Sequence, residues 1–329
     1  MKTLKVGVIG LGRMGKNHCR VFSAMWGVEL AAVYDLNPEI GQPIAQQFQT
    51  HSCQSLEELF GLVDAVSIVT PTSTHYEMAM RCLDAGLHVC LEKPMTETIS
   101  QAENLCHFAY EQKCILQVGH IERFNPTYVE LKHVMEKMTV LAVNFRRLSP
   151  YAGSNTDVDV VLDLMTHDLD LVLNMAGSLP KSVTTTGLSA FHKAVDHAVV
   201  NMCFAGGPLV TMTASRLTEQ KVRQIEVTAL EAYIEANLLS KTLQVHHSTT
   251  GEYVNYKPGE VKYRQESVVE FIHVPGGEPL YLELQDFVDC VRHGREPQVT
   301  AADGLAALRL ATQIQESIHA QLEDVLVIG

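Results

Sequence analysis

Through the first third of the chain, short and nearly continuous apolar runs alternate with stretches of helical period. Residues 4–9 form the first run, 13–26 carry helical spacing, and 28–34 form a second run that ends at Asp35-Leu36-Asn37-Pro38. Further apolar runs follow at 65–70, 88–91 and 114–118, with amphipathic helices at 74–85 and 97–112 between them. A run without alternation is a strand buried on both faces, and strands separated by helices need right-handed crossovers. The pattern predicts an α/β unit with a parallel, doubly wound sheet.

Beyond residue 122 the rhythm changes. Helices are predicted near 126–138 and 158–175, followed by period-2 runs at 181–190, 197–204, 209–216 and 224–230. Turns are marked by Gly206-Gly207-Pro208, Gly251 and Pro258-Gly259, and two last helices near 280–293 and 303–322 flank a break at 294–297. Consecutive strands with short turns make an antiparallel sheet, so the second half reads as α+β on an open, mostly antiparallel sheet. Two domains are expected, 1–122 and 123–329. An open sheet of this kind is expected to leave an apolar face covered by another subunit, in a homodimer or homotetramer.

Composition narrows the class. With 329 residues, 46% hydrophobic and 19% charged, the chain can bury two cores and reads as globular. No run approaches the roughly 18 apolar residues of a membrane span. Met1-Lys2-Thr3 leads straight into a strand, which argues against an export signal and for the cytoplasm. The net charge of −13 excludes a nucleic-acid surface but not a small anionic substrate held by a few local cations. Eight scattered cysteines without a C-x-x-C pair read as small buried hydrophobes in a reducing compartment, and no metal site is expected. His246-His247 reads as the two faces of a strand.

Chemistry enters at the first strand–helix junction. Gly10, Gly12 and Gly15 make G-x-G-x-x-G, with Arg13 and Met14 inside it, after a strand and at the start of a helix. In that context Gly10 allows the tight turn, Gly12 lets a pyrophosphate approach the backbone, and Gly15 lets helix and strand pack closely. Free N–H groups at the helix start then hold the phosphates. Asp35, twenty residues past Gly15, ends the second strand where a carboxylate binds the ribose hydroxyls and repels a 2′-phosphate. NAD is the expected cofactor.

Asp64 to Pro94 reads DAVSIVTPTSTHYEMAMRCLDAGLHVCLEKP. A strand followed by T-P-x-x-x-H, then A-G-x-x-V-x-x-E-K-P, resembles the glucose–fructose oxidoreductase/inositol dehydrogenase (Gfo/Idh/MocA) family. The resemblance implies that Thr70, Pro71 and His75 lie along the cofactor. It implies also that Glu92, Lys93 and Pro94 line the nicotinamide, with Lys93 directed at the substrate. A cationic amine beside a secondary alcohol stabilises developing alkoxide charge.

In VVLDLMTHDLD (160–170), Asp163 and His167 stand four apart, on one helix face. The family's pattern here resembles D-x-G-x-H-x-x-D, and Met165 replaces its glycine. In a hydride-transfer site His167 would take the hydroxyl proton, with Asp163 orienting it. GHIERFNP resembles the family's link after the last Rossmann strand, and the resemblance implies that it contributes to the cleft, with His120, Arg123 and Asn125 as candidate substrate ligands. Arg146 and Arg147 alternate faces on one strand, so only one points inward; which of them does stays open, with Arg147 put forward as the substrate ligand. GHIERFNP, RRLSP and VVLDLMTHDLDL resemble the branch of the family that oxidises the C3 hydroxyl of UDP-N-acetylglucosamine. That branch passes the ketone to an aminotransferase, toward lipid A-type products. A free sugar or inositol dehydrogenase stays open as an alternative, as does a regulator that binds dinucleotide without turnover.

Overall fold

The protein is described by a computed structural model over residues 3–151, 158–191, 194–247, 250–257, 260–266 and 268–324; the expected Pro258-Gly259 turn lies outside these residues. The chain begins with β1 (Leu4–Ile9), α1 (Arg13–Ala24), β2 (Val28–Tyr34), α2 (Pro38–Phe48), β3 (His51–Ser52) and α3 (Leu56–Phe60). It continues with β4 (Ala65–Ile68), α4 (Thr72–Asp84), β5 (His88–Glu92), α5 (Ile99–Gln112), β6 (Leu116–Gly119) and α6 (Pro126–Met135). After β7 (Val140–Leu148), a π-helical turn (Val161–Met165) leads into α7 (Thr166–Ala176). Then come β8 (Ser182–Leu188), β9 (His197–Cys203), β10 (Leu209–Ser215), β11 (Val222–Ala229), β12 (Ala232–Asn237) and β13 (Thr242–His247). The last elements are β14 (Thr250–Lys257), β15 (Glu260–Glu266), β16 (Val269–Ile272), α8 (Pro279–His293) and α9 (Ala301–Asp324).

One compact unit comprises Met1–Phe124 and Gly277–Leu310. Its six strands run parallel in the order β3-β2-β1-β4-β5-β6. β4 is buried along its whole length, as the unbroken apolar run requires. The strand order reverses between β1 and β4, and in open α/β sheets ligands bind beyond the carboxyl ends at such a point. After Asp35 a helix starts: Asn37 caps α2 by accepting from Glu39 N at 3.0 Å, and Pro38 takes the first helical position. Gly277–Leu310 returns to this unit. The reason is the apolar face of α8, whose Leu280, Leu284, Phe287 and Val288 share a core with Val6, Phe22 and Cys90.

The other unit comprises Asn125–Gly276 and Ala311–Gly329. Its eight-stranded sheet has the order β16-β13-β12-β11-β7-β10-β9-β8 and is antiparallel except for the central β7–β10 pair. α6 packs on β12 and β13, and Thr185 of β8 bonds Ser317 and Gln321 of α9 at 2.8 and 3.2 Å. Val143, Phe145 and Arg147 of β7 are buried, whereas Asn144 and Arg146 point the other way. That opposite face carries polar pairs: Asn144 bonds Glu226 at 2.8 Å, Thr211 bonds Asn201 at 2.9 Å and His246 meets Glu235 at 3.0 Å. Exposed Leu209, Tyr233, Val269 and Phe271 stand among these pairs on the same face, so it mixes apolar with polar side chains. All eight cysteines are free thiols, five of them buried.

Arg147 is spoken for. Its Nε donates to Asp168 Oδ2 at 2.9 Å and its Nη2 to Oδ1 at 2.6 Å, with the two residues 2% and 4% exposed. Breaking a buried pair strands one charge in a low-dielectric interior, at a cost of about 3–5 kcal/mol. Asp168→Ala is expected to lower the second unit's stability by that amount in urea unfolding. A loss under about 1 kcal/mol, the range of solvent-exposed pairs, would contradict the pairing.

Candidate functional site

At the end of β1 the backbone turns sharply. Gly10 has φ +88°, and a Cβ there would lie 2.7 Å from Val69 O. A Cβ on Gly15 would sit 1.9 Å from Gly10 O, so α1 rests directly on the loop. Gly12, the N-cap of α1, behaves differently: an added Cβ would meet nothing within 4 Å, and no side chain caps the helix. The loop thus offers helix N–H groups beside open space, the arrangement a diphosphate requires. Arg13 is exposed and Met14 half-buried, its sulfur accepting from Asn17 Nδ2 at 3.8 Å. Asp35 is pinned beside the loop, accepting from Leu11 N at 2.8 Å and from Asn37 N at 2.9 Å.

Thr70 and Pro71 follow β4, and Thr74 Oγ1 donates to Thr70 Oγ1 at 2.8 Å. His75 is 1% exposed, with Nδ1 2.8 Å from Pro94 O and Nε2 2.9 Å from Thr70 O. Its ring straps the loop after β4 to the loop after β5. Lys93, half-buried, follows β5 and precedes a cis bond to Pro94. Glu92 Oε2 accepts from Lys93 N at 3.1 Å, and Oε1 lies 3.3 Å from His18 Nε2. Burial pushes the Glu92 carboxyl up, but His18 at that distance, together with Lys93's charge and N–H, outweighs it and holds it below the usual glutamate value. His18 was not singled out from the sequence. Its signal was a histidine one helical turn past Gly15, on the side of α1 that faces the sheet.

In the second unit the helix predicted at 158–175 begins as the π-helical turn. Thr166 N reaches back to Val161 O, and the Thr166 hydroxyl donates to Val161 O and Leu162 O at 3.0 and 2.9 Å. π-turns concentrate at functional positions, and this one carries Asp163 and leads into His167. Four residues fall close to one turn of either winding, so both side chains share a face, each half-buried. Met165 is 1% exposed, its bulk turned into the core.

Residues 4–120 match the model of an oxidoreductase family with an NAD-binding Rossmann fold, and residues 145–321 match that family's C-terminal alpha/beta domain. The chain belongs to the Gfo/Idh/MocA family. It is 31% identical over 320 residues to UDP-N-acetylglucosamine 3-dehydrogenase of Acidithiobacillus ferrooxidans, covering 97% of this chain and 99% of the relative. A solved structure of that enzyme superimposes with a TM-score of 0.86, covering 98% of this chain and 100% of that one. Inositol 2-dehydrogenase of Rhizobium meliloti is 25% identical, covering 96% of this chain and 97% of the relative.

NAD is therefore the cofactor of this Gfo/Idh/MocA protein, and the Gly10–Gly15 loop and Asp35 fit it. The residues expected to bind substrate divide differently. Besides Arg147, Arg123 is 6% exposed, donating to Gln298 O at 3.3 Å with Asp303 3.7 Å away. Asn125 caps α6 through Thr127 N at 3.1 Å and donates to Leu238 O at 3.3 Å. Burial and internal partners give all three a structural role. His120 is buried at the end of β6, and Arg146 is exposed. Elsewhere, His51, Cys53 and Glu58 bring possible metal-ligand atoms within 4.8 Å, but His51 and Glu58 already pair at 2.6 Å.

The pinned Asp35 carboxylate generates a cofactor test. NAD should bind at least about tenfold tighter than NADP, equivalent to about 1.4 kcal/mol. Asp35→Ser should narrow that gap in calorimetric titrations. Equal affinity of the wild-type protein for both would contradict the assignment.

Proposed function

We propose that this protein oxidises the C3 hydroxyl of UDP-N-acetylglucosamine, or a closely related nucleotide sugar, to a ketone. What carries the reading is end-to-end similarity to an enzyme named for that reaction, at higher identity than to the inositol dehydrogenase. The Lys93 and Asp163/His167 segments add the chemistry an alcohol oxidation needs.

Bound NAD supplies the hydride acceptor. Lys93 donates to the reacting oxygen and stabilises the negative charge that develops as its proton leaves. His167 receives that proton, and Asp163 holds the imidazole in the accepting orientation. The hydroxyl loses its proton and C3 its hydride, leaving a carbonyl. Oxidation of a simple alcohol by NAD is uphill near neutral pH, so an enzyme that consumes the ketone has to follow. An aminotransferase converting it to a 3-amino sugar nucleotide fits that requirement.

The test compares kcat/KM for UDP-N-acetylglucosamine, myo-inositol and free hexoses, with and without an aminotransferase and amino donor. The nucleotide sugar should be preferred, and the coupled reaction should give a 3-amino product identifiable by mass. Inositol or a free hexose turned over readily, with no amino sugar nucleotide formed, would overturn the substrate assignment. Lys93→Ala and His167→Ala should each lower turnover by roughly two to four orders of magnitude with NAD affinity largely retained. Near-normal turnover of His167→Ala between pH 6 and 8 would remove it as the base.

A further inference from the structure

We propose that His18 is a positioning residue for Lys93, acting through Glu92. The histidine lies on α1, the same helix whose first residues form the diphosphate loop, and is 1% exposed. A polar ring so deeply buried needs partners. Its Nδ1 is 2.8 Å from the hydroxyl of Ser67, a residue of β4 with no exposure, and this contact fixes the ring plane. The other nitrogen lies 3.3 Å from Glu92 Oε1, at ion-pair distance but outside hydrogen-bond geometry.

Glu92 folds back to accept from the N–H of Lys93, so the carboxylate sets how the lysine leaves β5. The neighbouring strand makes room for it: a Cβ on Gly119 of β6 would lie 3.2 Å from the Glu92 carboxyl carbon. Ser67, His18, Glu92 and the Lys93 backbone thus form a line from β4 through α1 to the end of β5. The charge of Lys93 favours the ionised form of Glu92. Coupling between two sites is reciprocal, so the Glu92 anion favours the cationic form of Lys93 to the same extent. The other titratable groups nearby are Cys90 on β5 and Glu283 and Asp286 on α8. Burial, then Glu283 and Glu92, push the Cys90 thiol well up, which keeps it neutral. His18 therefore has a defined task, to hold Glu92 in place and ionised beneath the lysine.

This inference rests on the proposed role of Lys93 only in its activity arm; the titration arm needs neither substrate nor NAD. Lysines of the full chain are reductively methylated with 13C, and the Lys93 signal is assigned by its loss in Lys93→Arg. His18→Asn keeps an amide near the Nδ1 position and loses reach to Glu92, whereas His18→Gln reaches Glu92. The Lys93 midpoint is expected to fall by about one pH unit, a tenfold change in proton affinity, in His18→Asn. It should return to near the wild-type value in His18→Gln. In steady-state assays kcat/KM should show the same shift and rescue in its pH profile. Glu92→Gln, which removes the charge directly, should reproduce the fall and serves if His18→Asn fails to fold. The proposal is overturned if folded His18→Asn titrates like wild type, if His18→Gln fails to rescue it, or if Glu92→Gln leaves the midpoint unchanged.

Discussion

A carboxylate taken out of water must be met by donors, or the fold gives way around it. Three buried aspartates and the half-buried Glu92 show this here. Asp168 is met by the fork of Arg147. Asp196 is met by Arg216 at 2.5 Å and by the Ala190 and Phe191 N–H groups at 2.7 and 3.0 Å. Burial raises the Asp196 pKa, but these donors outweigh it and hold the carboxyl below its usual range. Asp159 accepts from Val195 N at 2.7 Å and Gln315 at 2.6 Å, with His319 2.8 Å away. Glu92 is met by His18 and the Lys93 N–H. Asp159 lies just before the π-helical turn and Asp168 just after it, so the segment carrying Asp163 and His167 is anchored at both ends.

The cofactor half rests on a complementary constraint, close approach of backbone to backbone. Gly15 has no room for a Cβ against Gly10 O, while Gly12 faces open space. The same helix is pressed down at one residue and left bare at another three positions earlier, so its N–H groups stay available. Further along α1, His18 reaches the EKP segment, and the two ends of the dinucleotide site share one rigid element. His75 links the remaining two loops. Two buried histidines thus tie the loops after β4 and β5 to each other and to α1.

How much of this was legible follows from what kind of signal each feature leaves. The glycine loop, Asp35 and the alternation of strands and helices are written in backbone requirements, which a sequence states directly. Period 2 in β7 says that one of Arg146 and Arg147 points inward, and the inward one is Arg147. It does not say that Asp168, twenty-one residues on, meets it. Asn125 shows the same limit, since an Asn before Pro can bind a ligand or cap a helix, and here it caps α6. The return of α8 to the first core depends on which apolar surface its face matches, and chain order carries no trace of that. A lone buried histidine such as His18 gains meaning only once Glu92 and Ser67 stand beside it.

The central claim is hydride transfer from C3 of a nucleotide sugar to NAD. UDP-N-acetylglucosamine carrying deuterium at C3, incubated with the protein and NAD, tests it directly by mass spectrometry of the reduced cofactor. One deuterium is expected on the nicotinamide from the C3-labelled sugar and none from sugar labelled at C4. Reduced cofactor without the C3 label, or label arriving from C4, would contradict it.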